Sequence, residues 1–496
     1  MAVITYEDFQ NGIDRRKSEQ VADMKGLYEC KNAYVTNGFA IKKRPGFERI
    51  SATGLDSNSK GLFIFNRKLY TVSHVGVSQP TLSGFGVGTS GPISTTIETL
   101  ILPNPASPVD PVSRVWQFLV FNRKLYVVVE YDSGDVRHWF GGTTTAGMSV
   151  ITDANCPNTK SVIVHASKVY AIGTNASGQA YVKYSATENP VDWTSPGNAS
   201  GTLGLPVGLE SPQQDEIVAI GSFRDKLVVF MTNNLQLWNT DPDPANITLD
   251  SVVENAHTTF INSIAPIAND LFYLNHSGFD SAGQMLYTDT IQDVDVGSPI
   301  SDLVVSQINS HAATYEPKSI NFTGEGQYLC AIEKELFVFS YSAASRLAAW
   351  SRYTLSDVIR DLTHFRNYCF MRLENSARDN YVYCMNPDKY IDDTDGEAPE
   401  VQITNSYQTL GAPGRWKKIY GMDAMFNGTA NIQHRWDARS PDEKTIKVPL
   451  TGDTRPGQMI PVELMTTELS FDITQTDNAA FQFNGISYYF EPLGEF

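Results

Sequence analysis

The chain has 496 residues, of which 41% are hydrophobic, 19% charged and 11% aromatic, and its formal net charge is −17. That length exceeds one ordinary core, and that composition leaves no room for a large disordered tail. An acidic chain of this kind does not grip nucleic-acid phosphates over a wide surface, which excludes general DNA binding.

In chain order, residues 1–55 form a mixed segment too short to hold a core of its own. A short helix is expected near Gln20 to Asn32. The start, MAVITYEDFQNGIDRRK, lacks an apolar stretch behind its charges and does not read as a secretory signal.

A repeat then occupies residues 56–390. The hexapeptide FNRKLY occurs at Phe65 to Tyr70 and again at Phe121 to Tyr126, each time between two apolar, β-branched or aromatic runs. Looser copies begin at Val162, Ile220, Ile264, Cys330 and Thr363. Aligning the turn lysine gives the anchors Lys68, Lys124, Lys168, Lys226, Asp270, Glu335 and Tyr368, with an average spacing of 50 residues. Period-two alternation around a polar turn makes each copy a β-hairpin. Three or four short strands per unit of this length is the period of a β-propeller blade, and such blades close a core only by stacking on one another. The expectation is an all-β fold with a six- or seven-bladed β-propeller. Leu69 and Leu125, just after the two identical turns, are expected at equivalent buried positions.

Residues 391–496 lie outside the repeat. The stretch from Asn386 to Glu400 is acidic and turn-rich and reads as a solvated linker. Beyond it, strands such as VQITNSYQTLG, TIKVPL and ISYYFEPLG predict a further β domain. With the first segment it is expected to form a β-sandwich-like platform beside the propeller. Deleting residues 1–50 is then expected to leave the propeller folded but unable to assemble.

Motifs for chemistry are lacking. The eight histidines are scattered, and HExxH, Walker A and nucleophile-elbow patterns are missing. The glycine-rich GFGVGTSG from Gly84 reads as a loop. The run Asp392, Asp393, Asp395 and Glu397 fails a calcium-loop template, because Ile391 and Gln402 stand where its first and twelfth ligands belong. DSGDVRHW, from Asp132, reads as a hairpin turn. Five cysteines without a CxxC pair fit neither a disulfide scaffold nor a zinc module, and no apolar run is long enough to span a membrane. We therefore expect no enzyme activity, no catalytic residue, no metal and no cofactor.

Basic residues cluster twice: Arg15, Arg16 and Lys17 with Lys42, Lys43 and Arg44, and later Arg415, Lys417 and Lys418 around Trp416. These are candidate contacts with another subunit or an acidic partner. Residues 1–50 carry +2, residues 51–395 carry −14 and residues 396–496 carry −5.

The amino-terminal motifs Phe9-Gln10-Asn11-Gly12-Ile13-Asp14, Asn32-Ala33-Tyr34-Val35 and Lys43-Arg44-Pro45-Gly46-Phe47 resemble those of tail nozzle and tail hub proteins of short-tailed bacteriophages, the podoviruses. The phrase YSATENPVDWT (Tyr184 to Thr194) and the closing GISYYFEPLGEF are similar too. The resemblance implies a structural subunit of the virion tail, assembled in the host cytoplasm as a homo-hexameric ring below the portal and adaptor. It implies contacts with other tail proteins, fibres or spikes. It also implies passage of double-stranded DNA without tight binding. The acidic surplus, largest in residues 51–395, predicts a channel lined by acidic and neutral side chains, the alternative being that this charge serves solubility alone. A carbohydrate-binding or glycan-cleaving receptor-binding propeller, or a scaffold propeller unrelated to phage, are the alternatives.

Overall fold

The computed structural model describes residues 2–20, 25–50, 58–74, 80–87, 96–101, 110–143, 146–175, 177–194, 204–211, 215–243, 246–267, 270–283, 296–311, 315–440, 444–445, 447–454 and 459–494. Among these the chain is almost all β, with one α-helix longer than a single turn, Ser301–His311.

The repeat region folds into successive small antiparallel sheets, each a meander. The first joins Lys60–Phe65, Lys68–Ser73, Thr81–Gly86 and Thr96–Ile101, and the second Val112–Phe121, Lys124–Tyr131, Val136–Thr143 and Ala146–Val150. The third holds Val162–His165, Lys168–Thr174 and Ala180–Tyr184. The fourth holds Ile217–Phe223, Lys226–Met231, Asn234–Asn239 and Thr248–Glu254. The fifth is Ala265–Ile267, Asp270–Asn275 and Gly278–Ser281. A sixth meander runs from Lys318–Phe322 through Gln327–Ile332 and Glu335–Ser342 to Leu347–Thr354. The last contains Val358–Phe365, Tyr368–Glu374 and Asn380–Asn386. The first strands of neighbouring sheets touch, except that Ile217–Phe223 of the fourth meets Asp270–Asn275 of the fifth, and Lys60–Phe65 touches both Val112–Phe121 and Val358–Phe365. This architecture of stacked small sheets is consistent with a β-propeller.

The repeated hexapeptide has a backbone cause. Asn66 and Arg67 have φ of 49° and 59°, Asn122 and Arg123 46° and 59°, and Ala166 and Ser167 43° and 60°. Positive φ at both central residues makes the two-residue hairpin turn whose twist matches the flanking strands, and Asn tolerates that conformation best. All seven anchors are the first residue of a strand. Leu69 and Leu125 are each the second residue of theirs, and both are fully buried. The copy at Cys330 is displaced, however: Glu335 opens the third strand of its meander, so the match falls on the second hairpin.

Two readings of the first segment are corrected. Residues Gly26–Lys31 form a strand rather than a helix, because Leu27 and Cys30 pack into a sheet against Ile403 and its neighbours; residues 21–24 lie outside the described part. The strand Gly46–Arg49 is the fourth strand of the last sheet, paired through Gly46↔Asn386 and Phe47↔Met385. Deleting residues 1–50 would strip that sheet of its outer strand, so the ring would not be left intact.

The ends of the chain interlace. Ala2–Tyr6, Ala33–Val35 and Ile41–Lys43 join Lys417–Asn427, Ile460–Thr466 and Gln482–Pro492 in a six-stranded sheet. Gly12–Ile13 and Gly26–Lys31 extend the sixth meander, through Leu347–Thr354, into Val401–Asn405, Ser470–Gln475, Thr429–Arg435 and Val448–Thr451. The two sheets share one core, with Met422, Phe426, Phe483 and Tyr488 from the first and Ile403, Ile432, Phe471 and Ile473 from the second. That core continues through Trp350 to Phe279, Tyr328 and Phe339 of the repeat region.

Candidate assembly site

The second and third amino-terminal motifs meet where the interlaced sheets join the end of the repeat. Arg44 is completely buried. Its guanidinium donates to both Asp392 oxygens, Nη1 to Oδ1 at 2.8 Å and Nη2 to Oδ2 at 2.5 Å, and Nε donates to Asn32 Oδ1 at 3.0 Å. Nη1 also donates to the Pro45 carbonyl at 3.0 Å, and the Phe47 ring lies 4.7 Å from the guanidinium. A planar fork with all its donors directed in this way is what arginine, and not lysine, can provide.

Asn32 completes the joint. Its φ of 54° places it in the left-handed region, its Oδ1 also accepts the Thr354 amide at 3.0 Å, and its Nδ2 donates to the Glu400 carbonyl at 2.8 Å. One side chain thus links the amino-terminal segment, the sixth meander and the segment after the last sheet. Gly46 belongs to the same joint, because a Cβ there would collide with the Ile391 carbonyl. Gly12, at φ +57°, lies against the Trp350 backbone with no space for a side chain. Phe9 packs on Phe483 with ring centroids 5.4 Å apart. The phrase around Tyr184 is also structural: Trp193 is fully buried, and its amide donates to Asp153 Oδ2 at 2.7 Å.

The acidic stretch is largely solvated, with Asp388, Asp395 and Glu397 exposed, but it is fastened to the first segment. Asp392 is buried beneath Arg44 and accepts the Phe47 amide at 3.0 Å, while Asp393 accepts the Arg49 amide at 2.8 Å. A second charged cluster lies nearby. Glu29 receives Arg352 through two bonds, 2.8 Å and 2.7 Å, and Arg15 through one of 3.0 Å. Burial pushes the carboxyl of Glu335, on the other side of Arg352, above the usual carboxylate range.

The nine basic candidates separate accordingly. Lys43, Arg44 and Lys417 are fully buried. Lys43 donates to Gln475 Oε1 at 2.6 Å and to the Asp477 carbonyl at 2.7 Å, and Lys417 to the carbonyls of Arg415 and Thr467. Burial, with Arg44 beside it, draws the Lys43 ammonium down to about 8. These three hold the chain's own sheets together and offer nothing to a neighbour. Arg15 is mostly buried against Glu29 and Tyr28. Arg16 is half-exposed and pairs with Asp14 at 2.7 Å. Lys42 is partly buried in a small recess with Tyr34, Glu325 and Tyr390. Lys17, Arg415 and Lys418 are exposed.

The exposed members near the second cluster lie by the outer face of the six-stranded sheet. Lys418 stands opposite Met465 on one side and Glu491 on the other. Its ammonium is 5.1 Å from the Tyr420 ring, and the Tyr420 hydroxyl donates to Glu491 at 2.5 Å. Met465 is 56% exposed, Val3 54%, Met459 43% and Trp416 41%. Four large apolar side chains with this much exposure on or beside one sheet are more than singly scattered surface residues. Hydrophobic pattern in the edge strand was the only sequence signal for this face.

No group of three or more His, Cys, Asp or Glu that could hold a metal ion occurs among the described residues. No helix of the described residues is long and apolar enough to cross a membrane. Comparison with known proteins found no matching family model and no matching curated protein. Among solved structures, the Pan2 WD40 domain of Neurospora crassa is similar over 67% of this chain and 90% of that one, at 10% identity and a TM-score of 0.40. PorZ, a surface component of the type-IX secretion system of Porphyromonas gingivalis, is similar over 65% of this chain and 36% of its own, at 11% identity and a TM-score of 0.36. The extracellular domain of a hybrid two-component system from B. thetaiotaomicron is similar over 82% of this chain and 50% of its own, at 11% identity and a TM-score of 0.41.

Proposed function

We propose that the chain is a non-enzymatic structural subunit of a short-tailed phage tail, a nozzle or hub that assembles as a ring, most simply of six copies. In this reading the small sheets are the seven blades of one propeller, and Gly46–Arg49 completes the last blade. The interlaced terminal sheets form a platform, which meets neighbouring copies and the portal or adaptor through the outer face around Trp416, Met465 and Lys418. Double-stranded DNA passes the assembled ring without tight binding.

One observation carries this reading. Residues of two of the motifs that resemble tail proteins meet at one joint, where Arg44 binds Asn32 and Asp392 and Gly46 lies on Ile391, and Gly12 of the third motif packs on the Trp350 backbone. A rigid joint between ring and platform is what a load-bearing assembly subunit needs.

Negative-stain imaging and native mass spectrometry of the purified chain test this. Rings of six copies are the expected result. A monomer with no higher species at tens of micromolar, or reproducible cleavage of a bacterial surface glycan, would overturn it.

A further inference from the structure

Three of the inner strands begin at one mouth of the ring. Lys60 opens Lys60–Phe65, Ser113 to Val115 follow the start of Val112–Phe121, and Arg360 and Asp361 follow the start of Val358–Phe365. With Glu130, Arg372 and Glu374 these residues line a cleft of about 290 Å³. All three strands are irregular there: the register breaks between Lys60 and Phe63, between Val112 and Arg114, and between Ile359 and Asp361. Bulges re-aim side chains out of the regular alternation, so coinciding bulges at one mouth bring side chains of three sheets together.

The charges of this mouth do not balance. Arg360 is matched by Glu374 at 2.9 Å and Lys160 by Glu130 at 3.0 Å, while Asp361 serves both Arg372 at 2.5 Å and Lys318 at 2.9 Å. Glu130 also accepts the Trp116 indole N–H at 2.7 Å. Two cations are left over. Arg114 lies 4.3 Å from the Trp116 ring centroid and forms no ion pair among the described residues. Lys60 forms no side-chain hydrogen bond or ion pair among them; burial and the like charges of Arg372 and Arg360 draw its ammonium below the usual lysine range, against the opposing pull of Glu374 and Asp132. Glu316 feels Arg114, but burial lifts its carboxyl above the usual range, and it already accepts the Asn262 amide at 3.2 Å. Even counting Glu316 and Asp132 as anions, six cations face five carboxylates, in a chain whose net charge is −17.

We propose that this mouth binds a small tetrahedral oxyanion, either inorganic phosphate or the phosphoryl group of a small ligand, with Lys60 and Arg114 as its two free cationic donors. Donors converging from separate strands suit a tetrahedral anion with oxygens on several sides, whereas a planar carboxylate is served by a single guanidinium fork. The cleft is too small for a polymer to lie in, and the surrounding negative charge disfavours one.

Isothermal titration calorimetry of the full chain with sodium phosphate, against chloride at constant ionic strength, tests this. Saturable binding at one site per chain is expected. Lys60→Met and Arg114→Met are each expected to weaken it about tenfold or more, the effect of losing one charge-assisted bond. Lys60 has no side-chain hydrogen bond among the described residues, so Lys60→Met is expected to keep the fold, which a thermal melt verifies. Lys447→Met, an exposed cation that does not line the mouth, should leave affinity unchanged. Glycerol phosphate in a parallel arm separates the two sources: tighter binding than phosphate assigns a phosphoryl ester, weaker binding the free ion. Absence of saturable heat up to about 10 mM phosphate, equal affinity in both variants and the parent, or tighter binding of succinate than of either phosphate, would overturn the proposal.

Discussion

Arg44 and Asp392 form an ion pair with almost no access to solvent, and the consequence is asymmetric. Such a pair adds little over a well-packed apolar pair, but removing one partner leaves a buried charge unmatched. Arg44→Met is therefore expected to cost about 3–5 kcal/mol, measured by urea unfolding. Asp392→Asn should cost a similar amount, and the double variant less than the sum of the two, because they share one interaction. Acid acts on other residues. His138 accepts from the Tyr126 hydroxyl at Nδ1 and donates from Nε2 to the Thr159 carbonyl, at 2.7 Å and 2.9 Å, and burial pulls its pKa down to about 4. Burial does the same to His434, beside Tyr488. The unfolded chain takes up these protons near pH 6.5 and the native chain only near 4. Their stabilisation is thus complete above 6.5 and declines as the pH falls through that window. The slope is about 1.4 kcal/mol per pH unit for each ring. Urea unfolding at pH 7 and pH 5 should show this decline, and His138→Asn should make it shallower.

At the scale of strands and sheets, the hexapeptide made the hairpins legible because it encodes both a turn that requires positive φ and the strand after it. The second residue of that strand was recognisable as core for the same reason. Leu125→Asp would place an unpaired charge among Val115, Val127 and Trp139, and is expected to lower stability by several kcal/mol and the melting temperature by many degrees. The displaced Cys330 copy shows the limit of the pattern. Two hairpins of one meander have the same alternation and similar two-residue turns, so local sequence does not tell the inner from the outer. Nor did it reveal that Gly46–Arg49 belongs to the last sheet, since a strand carries no mark of a partner 340 residues away. Gly46→Val is expected to push this strand off Ile391, and hydrogen exchange of Asn380–Asn386 should then accelerate while the second sheet stays protected.

At the scale of the whole molecule, the basic clusters were visible in the sequence but their fates were not. Lys43 and Arg44 read as surface charge because their partners, Gln475, Asp477 and Asp392, lie hundreds of residues further on. Composition cannot distinguish a cation that meets another subunit from one that fastens its own chain. Lys418 with Trp416, Met465 and Val3 remains exposed, and in the proposed reading this outer face is the one offered to neighbouring copies. Trp416→Glu combined with Met465→Glu is expected to leave the melting temperature within a few degrees of the parent and to abolish rings in negative-stain images. Rings that persist in this variant would place the contact elsewhere.

The pairing of Gly46 with Asn386, and of Tyr6 with Ile486, also sets a timetable. During synthesis at about 5–20 residues per second, the first 50 residues wait roughly 15–70 s for the strand that Gly46–Arg49 must join, and longer for the one that receives Ala2–Tyr6. Throughout that interval the nascent chain carries unpaired β edges and an Arg44 without its counter-ion, and closure comes only after most of the sheets have formed. Pairings of such sequence separation fold slowly and expose the chain to misassociation. The last step of folding thereby completes the last sheet and the joint together, and the outer face of the six-stranded sheet is finished only then.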